Sequence, residues 1–192
     1  MKTKLGLIIV DAQNDCVLPG NPVTINGAYE QIPVIKKLLN FFREKHLDVF
    51  HIIREYRESG ADVELVNIEK FNKNKYYVAG TKKCEIVEEL TPIKGELCVV
   101  KQRFSSFMQT ELDMLLRRKQ INTLVVCGAQ YPNCIRTTIY DAVSLDYTVI
   151  NITDATFAQT EEVAVSNIRD LKNIGITCIP LDDFFNEWSS KL

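Results

Sequence analysis

Thr123-Leu124-Val125-Val126-Cys127-Gly128-Ala129-Gln130-Tyr131-Pro132-Asn133-Cys134-Ile135-Arg136 passes from an apolar, β-branched run into a loop of small and polar residues. The run reads as a buried strand, and residues 137–145 beyond it have helical spacing. Cys134 therefore falls where a strand turns into a helix. Unpaired backbone N–H groups and the positive end of the helix dipole gather at such a place, so a thiol there is expected to lose its proton more readily. Most free cysteines are small buried hydrophobes; Cys98, Cys127 and Cys178 lie inside apolar runs and Cys84 in a polar helical stretch. Cys134, by contrast, follows a Gly, Pro and Asn loop at a strand's carboxyl end, where open α/β sheets collect their ligands.

Outward from that stretch the same alternation recurs. Apolar runs at 5–10, 48–53, 97–100, 123–126, 147–152 and 176–179 read as strands. Helical spacing predicts helices over 29–46, 110–119, 137–145, 161–173 and 182–188, a short one over 82–90, and a cap at Gly175. Strands alternating with helices specify an α/β fold: a three-layer α/β/α sandwich with a six-stranded, mainly parallel, Rossmann-like sheet, because each crossover must cover a sheet face. Residues 1–192 read as a single domain, and the long polar connection at 59–80 is expected to be a lid or an oligomer contact.

The composition narrows the function classes. The chain has 192 residues, 46% hydrophobic and 25% charged, with a formal charge of -2 and no basic cluster beyond pairs such as Arg117-Arg118. Nucleic acid and anionic membrane are therefore not the expected partners. The Met1-Lys2-Thr3-Lys4 start leads only into a strand-sized apolar run, so no signal peptide or anchor is expected and the reading is cytoplasmic. Six cysteines form no Cys-x-x-Cys pair and no zinc spacing with the two histidines, which fits reduced thiols, no metal and no cofactor.

Three reactive groups, Asp11, Lys101 and Cys134, each sit at the carboxyl end of a predicted strand. Asp is common in solvated turns and caps, and most lysines are exposed. In a doubly wound sheet, however, those strand ends share one edge, so the three can converge. Neither histidine is placed to serve as the cysteine's base: His46 ends a helix, and His51, mid-strand, is expected to be packed and hydrogen-bonded. Asp11 can take the thiol proton, and Lys101 can favour the thiolate or pair with the Asp11 carboxylate.

These residues carry a resemblance that extends over nearly the whole chain. Asp11-Ala12-Gln13-Asn14-Asp15, Lys101-Gln102-Arg103-Phe104-Ser105, Cys134 with Thr138, Asp141 and Ala142, and Asp154-Ala155 resemble four ordered motifs of the isochorismatase-like cysteine hydrolases, which include nicotinamidases and N-carbamoylsarcosine amidohydrolases. The resemblance implies an isochorismatase-like sheet with a catalytic triad of Asp11, Lys101 and Cys134. It also implies a cis peptide at Ala129-Gln130, with Tyr131-Pro132 as the competing candidate, and an oxyanion hole from the N–H groups of Gln130 and Cys134. Nicotinamidases have an Asp-x-His pair and a further His for a metal; here Glu55-Tyr56-Arg57 stands in that region, so neither a metal site nor nicotinamidase activity is expected. Cys16 replaces a usual Phe, and Tyr131-Pro132 a usual Thr and acidic residue. Arg54-Glu55-Tyr56, Asp62-Val63-Glu64-Leu65 and Pro132-Asn133-Cys134-Ile135-Arg136 look most like a subgroup that includes plant members described as probable inactive nicotinamidases.

The expected activity is metal-independent cleavage of a C–N bond in a small amide or carbamoyl compound through a Cys134 thioester. Gln13, Arg54, Glu55, Tyr56, Phe107, Tyr131 and Asn133 are the candidate substrate-binding residues. Isochorismatase-type vinyl ether hydrolysis is one alternative, but it needs no nucleophilic cysteine and leaves Cys134 unexplained. A catalytically inactive metabolite-binding paralogue is the other, and an elevated Cys134 pKa would favour it. The resemblance implies a small-molecule substrate and a homo-oligomer, dimer or tetramer.

Overall fold

The computed structural model describes residues 3–191. Six strands, β1 (Leu5–Val10), β2 (Asp48–Arg54), β3 (Leu97–Lys101), β4 (Thr123–Gly128), β5 (Thr148–Thr156) and β6 (Thr177–Ile179), form one sheet. Its order is β3-β2-β1-β4-β5-β6, and every pairing is parallel. The central strands β1 and β4 are buried at every position, which is why their sequences run apolar without alternation.

The helices are α1 (Asn14–Val17), α2 (Ala28–Glu44), α3 (Ile68–Asn74), α4 (Leu112–Arg118), α5 (Cys134–Ser144), α6 (Glu161–Asn173) and α7 (Leu181–Trp188). Two apolar clusters record the three layers. Leu5, Leu7 and Ile9 of β1 pack with Ile35, Leu38 and Phe42 of α2 and Phe184 of α7, whereas Ile8 and Val10 pack with Leu116 of α4, Ile139 of α5 and Leu171 of α6. Successive β1 side chains thus feed opposite cores, as a strand's two-residue period requires. His51 is buried in β2 with Nε2 2.8 Å from Glu96 Oε2, the packed histidine expected.

Several elements differ from the sequence reading. The helix expected over 82–90 is instead two 3-10 turns, Lys82–Cys84 and Glu88–Leu90, because Glu85 is extended and Ile86 forms a bridge with Gln13. The polar run after β1 holds α1, one turn long. β5 continues to Thr156, with a register shift opposite Val126 and Gly128. α5 starts at Cys134 itself, and residues 59–80 contain a 3-10 turn at Leu65–Asn67 followed by α3.

From β1 the chain first builds β2 and β3 on one side, then crosses to β4, β5 and β6 on the other. The strand order therefore reverses between β1 and β4, and their carboxyl ends border a crevice. Closure of this crevice floor depends on Gly128, which pairs with Val10 and has φ +106°. A Cβ there would collide with the Val10 carbonyl oxygen, and the dihedral is one that L side chains rarely adopt. Gly128→Ala is expected to destabilise the protein by at least about 2 kcal/mol, a fall of several degrees in Tm measurable by thermal unfolding. Unchanged Tm would show that the Val10–Gly128 junction has slack.

Candidate active site

Four neighbouring strand ends converge. Lys101 is the last residue of β3, Arg54 the last of β2, Asp11 follows β1, and Cys134 opens α5 after β4. Asp11 has φ +49°, a left-handed conformation that Asp tolerates better than most residues, and its N–H donates to Ile52 O at 2.8 Å. That turn directs its carboxylate inward. Lys101 reaches past β2 to place Nζ 2.9 Å from Asp11 Oδ2 and 3.3 Å from Arg103 O. The two side chains are 0% and 4% exposed, so the pair is cut off from solvent. Asp11 Oδ1, also buried, accepts no hydrogen bond among the described residues.

A cavity of about 150 Å³ opens over these groups. Its floor includes Asp11, Arg54, Phe104, Gln130, Asn133 and Cys134, and Thr24, Asn67, Tyr76 and Gln159 also line it. Both Ala129-Gln130 and Tyr131-Pro132 are cis. Tyr131 N–H donates to Phe157 O at 2.9 Å and Asn133 N–H to Gln130 O at 3.0 Å. The N–H groups of Gln130 and Cys134 donate to no acceptor among the described residues. Two free donors beside a sulfur at a helix start match what a developing oxyanion requires.

The thiol's electrostatics add an effect that the helix position does not contain. Burial pushes the Cys134 pKa up and the Asp11 carboxylate adds to that, outweighing Lys101 and Arg54, which pull it down. Burial thus favours the protonated thiol over the thiolate. Cys16 lies near, its thiol donating to Asp11 O at 2.7 Å, and burial pushes its pKa up to about 12.

The sequence-predicted pocket residues divide. Arg54, Gln130 and Asn133 line the cavity with Asp11 and Cys134. Lys101 lies beneath, reaching it through Asp11. Gln13, Glu55, Tyr56, Phe107 and Tyr131 are not among its lining residues. The Gln13 amide is fully buried, donating to Arg54 O and Cys84 O while accepting from Arg54 N, so it staples α1 to β2. Glu55 lies near Cys84, Tyr56 bonds Arg54 and Glu64, Phe107 stacks on Tyr147, and the Tyr131 hydroxyl bonds Asn151. Phe104, Tyr76, Tyr77, Asn67 and Lys70 line the cavity and were not singled out from sequence. Phe104 lies within the quoted Lys101 to Ser105 motif, which was the available signal. The others come from the 59–80 connection, where no local pattern marks a cavity wall. Among the described residues no group of three or more His, Cys, Asp and Glu side chains is arranged to hold a metal, and no helix is long and apolar enough to cross a membrane.

Comparison with known proteins bears on this geometry. The chain is 48% identical to an isochorismatase family protein from Desulfovibrio vulgaris subsp. vulgaris str. Hildenborough, whose crystal structure superposes with a TM-score of 0.93 over 96% of this chain and 97% of that one. It is 36% identical over 190 residues to a protein named probable inactive nicotinamidase from Arabidopsis thaliana, covering 97% of this chain and 95% of that protein. N-carbamoylsarcosine amidase from an Arthrobacter species is 27% identical over 176 residues, 87% of this chain and 64% of that enzyme. Residues 6–183 match the isochorismatase domain, and the chain belongs to the isochorismatase family.

Proposed function

We propose that the protein is a metal-independent cysteine hydrolase that cleaves the C–N bond of a small amide or carbamoyl compound. The observation carrying this reading is the convergence of a buried thiol, a buried carboxylate oxygen with no hydrogen-bond partner, and two free backbone N–H groups around one cavity. Each supplies one role. The Cys134 S–H bond breaks as its proton passes to Asp11, and the sulfur attacks the substrate carbonyl carbon. The N–H groups of Gln130 and Cys134 hold the oxyanion. Collapse of the tetrahedral intermediate breaks the C–N bond, and the leaving nitrogen takes the proton from Asp11, leaving a thioester. Water then attacks the thioester, giving its proton to Asp11; the acid departs and the proton returns to sulfur. Lys101 keeps the Asp11 carboxylate oriented throughout.

The cavity limits the substrate. About 150 Å³ is the size that holds a benzene-sized molecule, smaller than the usual pocket of a drug-sized ligand. Amide-bearing Asn67, Gln130, Asn133 and Gln159 around it suit a polar substrate. Of Glu55, Tyr56 and Arg57, standing where nicotinamidases have metal ligands, Tyr56 bonds Arg54 and Glu64 and Arg57 pairs with Asp62, which argues against nicotinamide. The elevated Cys134 pKa favours a second reading, a metabolite-binding paralogue that performs no chemistry.

Two measurements separate the readings. Intact mass after exposure to small amides and N-carbamoyl compounds is expected to show an acyl adduct that is absent in Cys134→Ala, with turnover lowered by at least about 10³-fold. Ligand-induced stabilisation without an adduct across the panel would support the binding paralogue. In the free protein, Asp11→Asn removes the anion that raises the thiol pKa while Lys101 and Arg54 remain. Iodoacetamide labelling of Cys134 should therefore begin at lower pH than in the unaltered protein, although turnover is lost. Onset at the same or a higher pH would show that Asp11 does not hold the proton on sulfur.

A further inference from the structure

Arg54 touches the sulfur without belonging to the Asp11–Lys101–Cys134 set. Its Nη2 lies 3.4 Å from Cys134 Sγ and 3.0 Å from Arg103 O. Nη1 donates to the Tyr56 hydroxyl at 2.6 Å and to Glu64 Oε1 at 2.9 Å, while the Tyr56 hydroxyl donates to Glu64 Oε2 at 2.6 Å. The Phe104 ring packs against the guanidinium, 5.1 Å from its carbon. Nε, buried and without a hydrogen-bond partner, is 4.0 Å from Asp11 Oδ2. The side chain is 5% exposed. Anchoring Glu64 accounts for Nη1; it does not account for Nη2 facing a thiol, which is a weak acceptor.

The charges supply the reason. With a neutral thiol, Arg54 and Lys101 balance Asp11 and Glu64. Moving the thiol proton to Asp11 breaks S–H, forms O–H and shifts one negative charge from carboxylate to sulfur without changing the total. The Nη2 contact then becomes a charge-assisted hydrogen bond, stronger than the one to the thiol. We propose that Arg54 is a catalytic residue whose Nη2 stabilises the Cys134 thiolate, and that Tyr56 and Glu64 fix the guanidinium for that task. This rests on the reading of Cys134 as the nucleophile.

The test is the pH dependence of Cys134 alkylation by iodoacetamide, followed by peptide mapping because Cys98, unlike Cys134, is exposed and will be alkylated too. The groups that face or adjoin the sulfur are Asp11 beyond β1, Arg54 at the end of β2 and Tyr56 just beyond it, Glu64 from the following segment, Lys70 of α3 with Tyr76 and Tyr77 after it, Lys101 from β3 and Cys16 from α1. In Arg54→Gln the onset is expected to rise by about one pH unit, a rate about tenfold lower below the onset. Arg54→Lys keeps the charge and should recover part of that shift. Arg54→Gln combined with Glu64→Gln removes the ion pair together, so no carboxylate is left unpaired, and should show the same rise; it carries the test if the single variant does not fold. A wild-type profile in either glutamine variant overturns the proposal, as does an Arg54→Lys profile equal to that of Arg54→Gln. No substrate is needed, so a shift that depends on Arg54 with no acyl adduct from any amide would sink the hydrolase reading alone.

Discussion

The structure of the site depends on one buried ion pair, Lys101 Nζ to Asp11 Oδ2 at 2.9 Å. Taking both charges out of water costs several kcal/mol per ion, and removing one partner of such a pair typically costs about 3 to 5 kcal/mol because the other charge is stranded. A fold selected only for stability would do as well with apolar residues at these positions. The pair is therefore informative about chemistry: it holds a carboxylate, one oxygen of which has no hydrogen-bond partner among the described residues, beside a buried sulfur. The same desolvation that makes the pair expensive also pushes the Cys134 pKa up.

Topology explains why these groups meet although they are far apart in sequence. β3, β2, β1 and β4 are consecutive neighbours, so Lys101, Arg54, Asp11 and Cys134 form a row along one edge of the sheet. Interior parallel strands are covered on both faces and leave no room for charge along their length. Polar chemistry is forced to the carboxyl ends, and the reversal between β1 and β4 opens the crevice there.

That constraint is also what made the site partly legible in the sequence. A charged residue directly after a continuous apolar run is conspicuous, and it marked Asp11 and Lys101; Cys134 was marked by the Gly, Pro and Asn loop before it. The strands were equally plain, because burial on both faces erases alternation. The 82–90 segment departs from its helical spacing because the extended break at Glu85 accompanies a bridge from Ile86 to Gln13, a contact distant in the chain that no local spacing records. Gln13 itself looked like a pocket residue, yet its amide is consumed by the backbone of Arg54 and Cys84. The thiol's burial was hidden for a similar reason: helix position is local, whereas desolvation, which pushes the Cys134 pKa up, comes from the whole surrounding fold.

The segment after β2 joins these threads. Glu55 lies near Cys84, Tyr56 is fully buried against Phe71, Tyr76 and Tyr77, and Arg57 pairs with Asp62 at the surface. Glu64 returns ten positions after Arg54 to meet its guanidinium, and Arg103 Nη1 donates to Asp62 O at 2.6 Å. The 59–67 stretch is thereby tied to both β2 and the loop after β3. Burial would raise the Glu64 pKa, but Arg54 and the Tyr56 hydroxyl outweigh it and hold it below the usual carboxylate range, so the tie stays charged. This stretch leads into Asn67, Lys70 and Tyr76, which line the cavity. The wall over Cys134 is therefore secured through the same guanidinium that touches the sulfur, which couples the shape of the cavity to the charges at its floor.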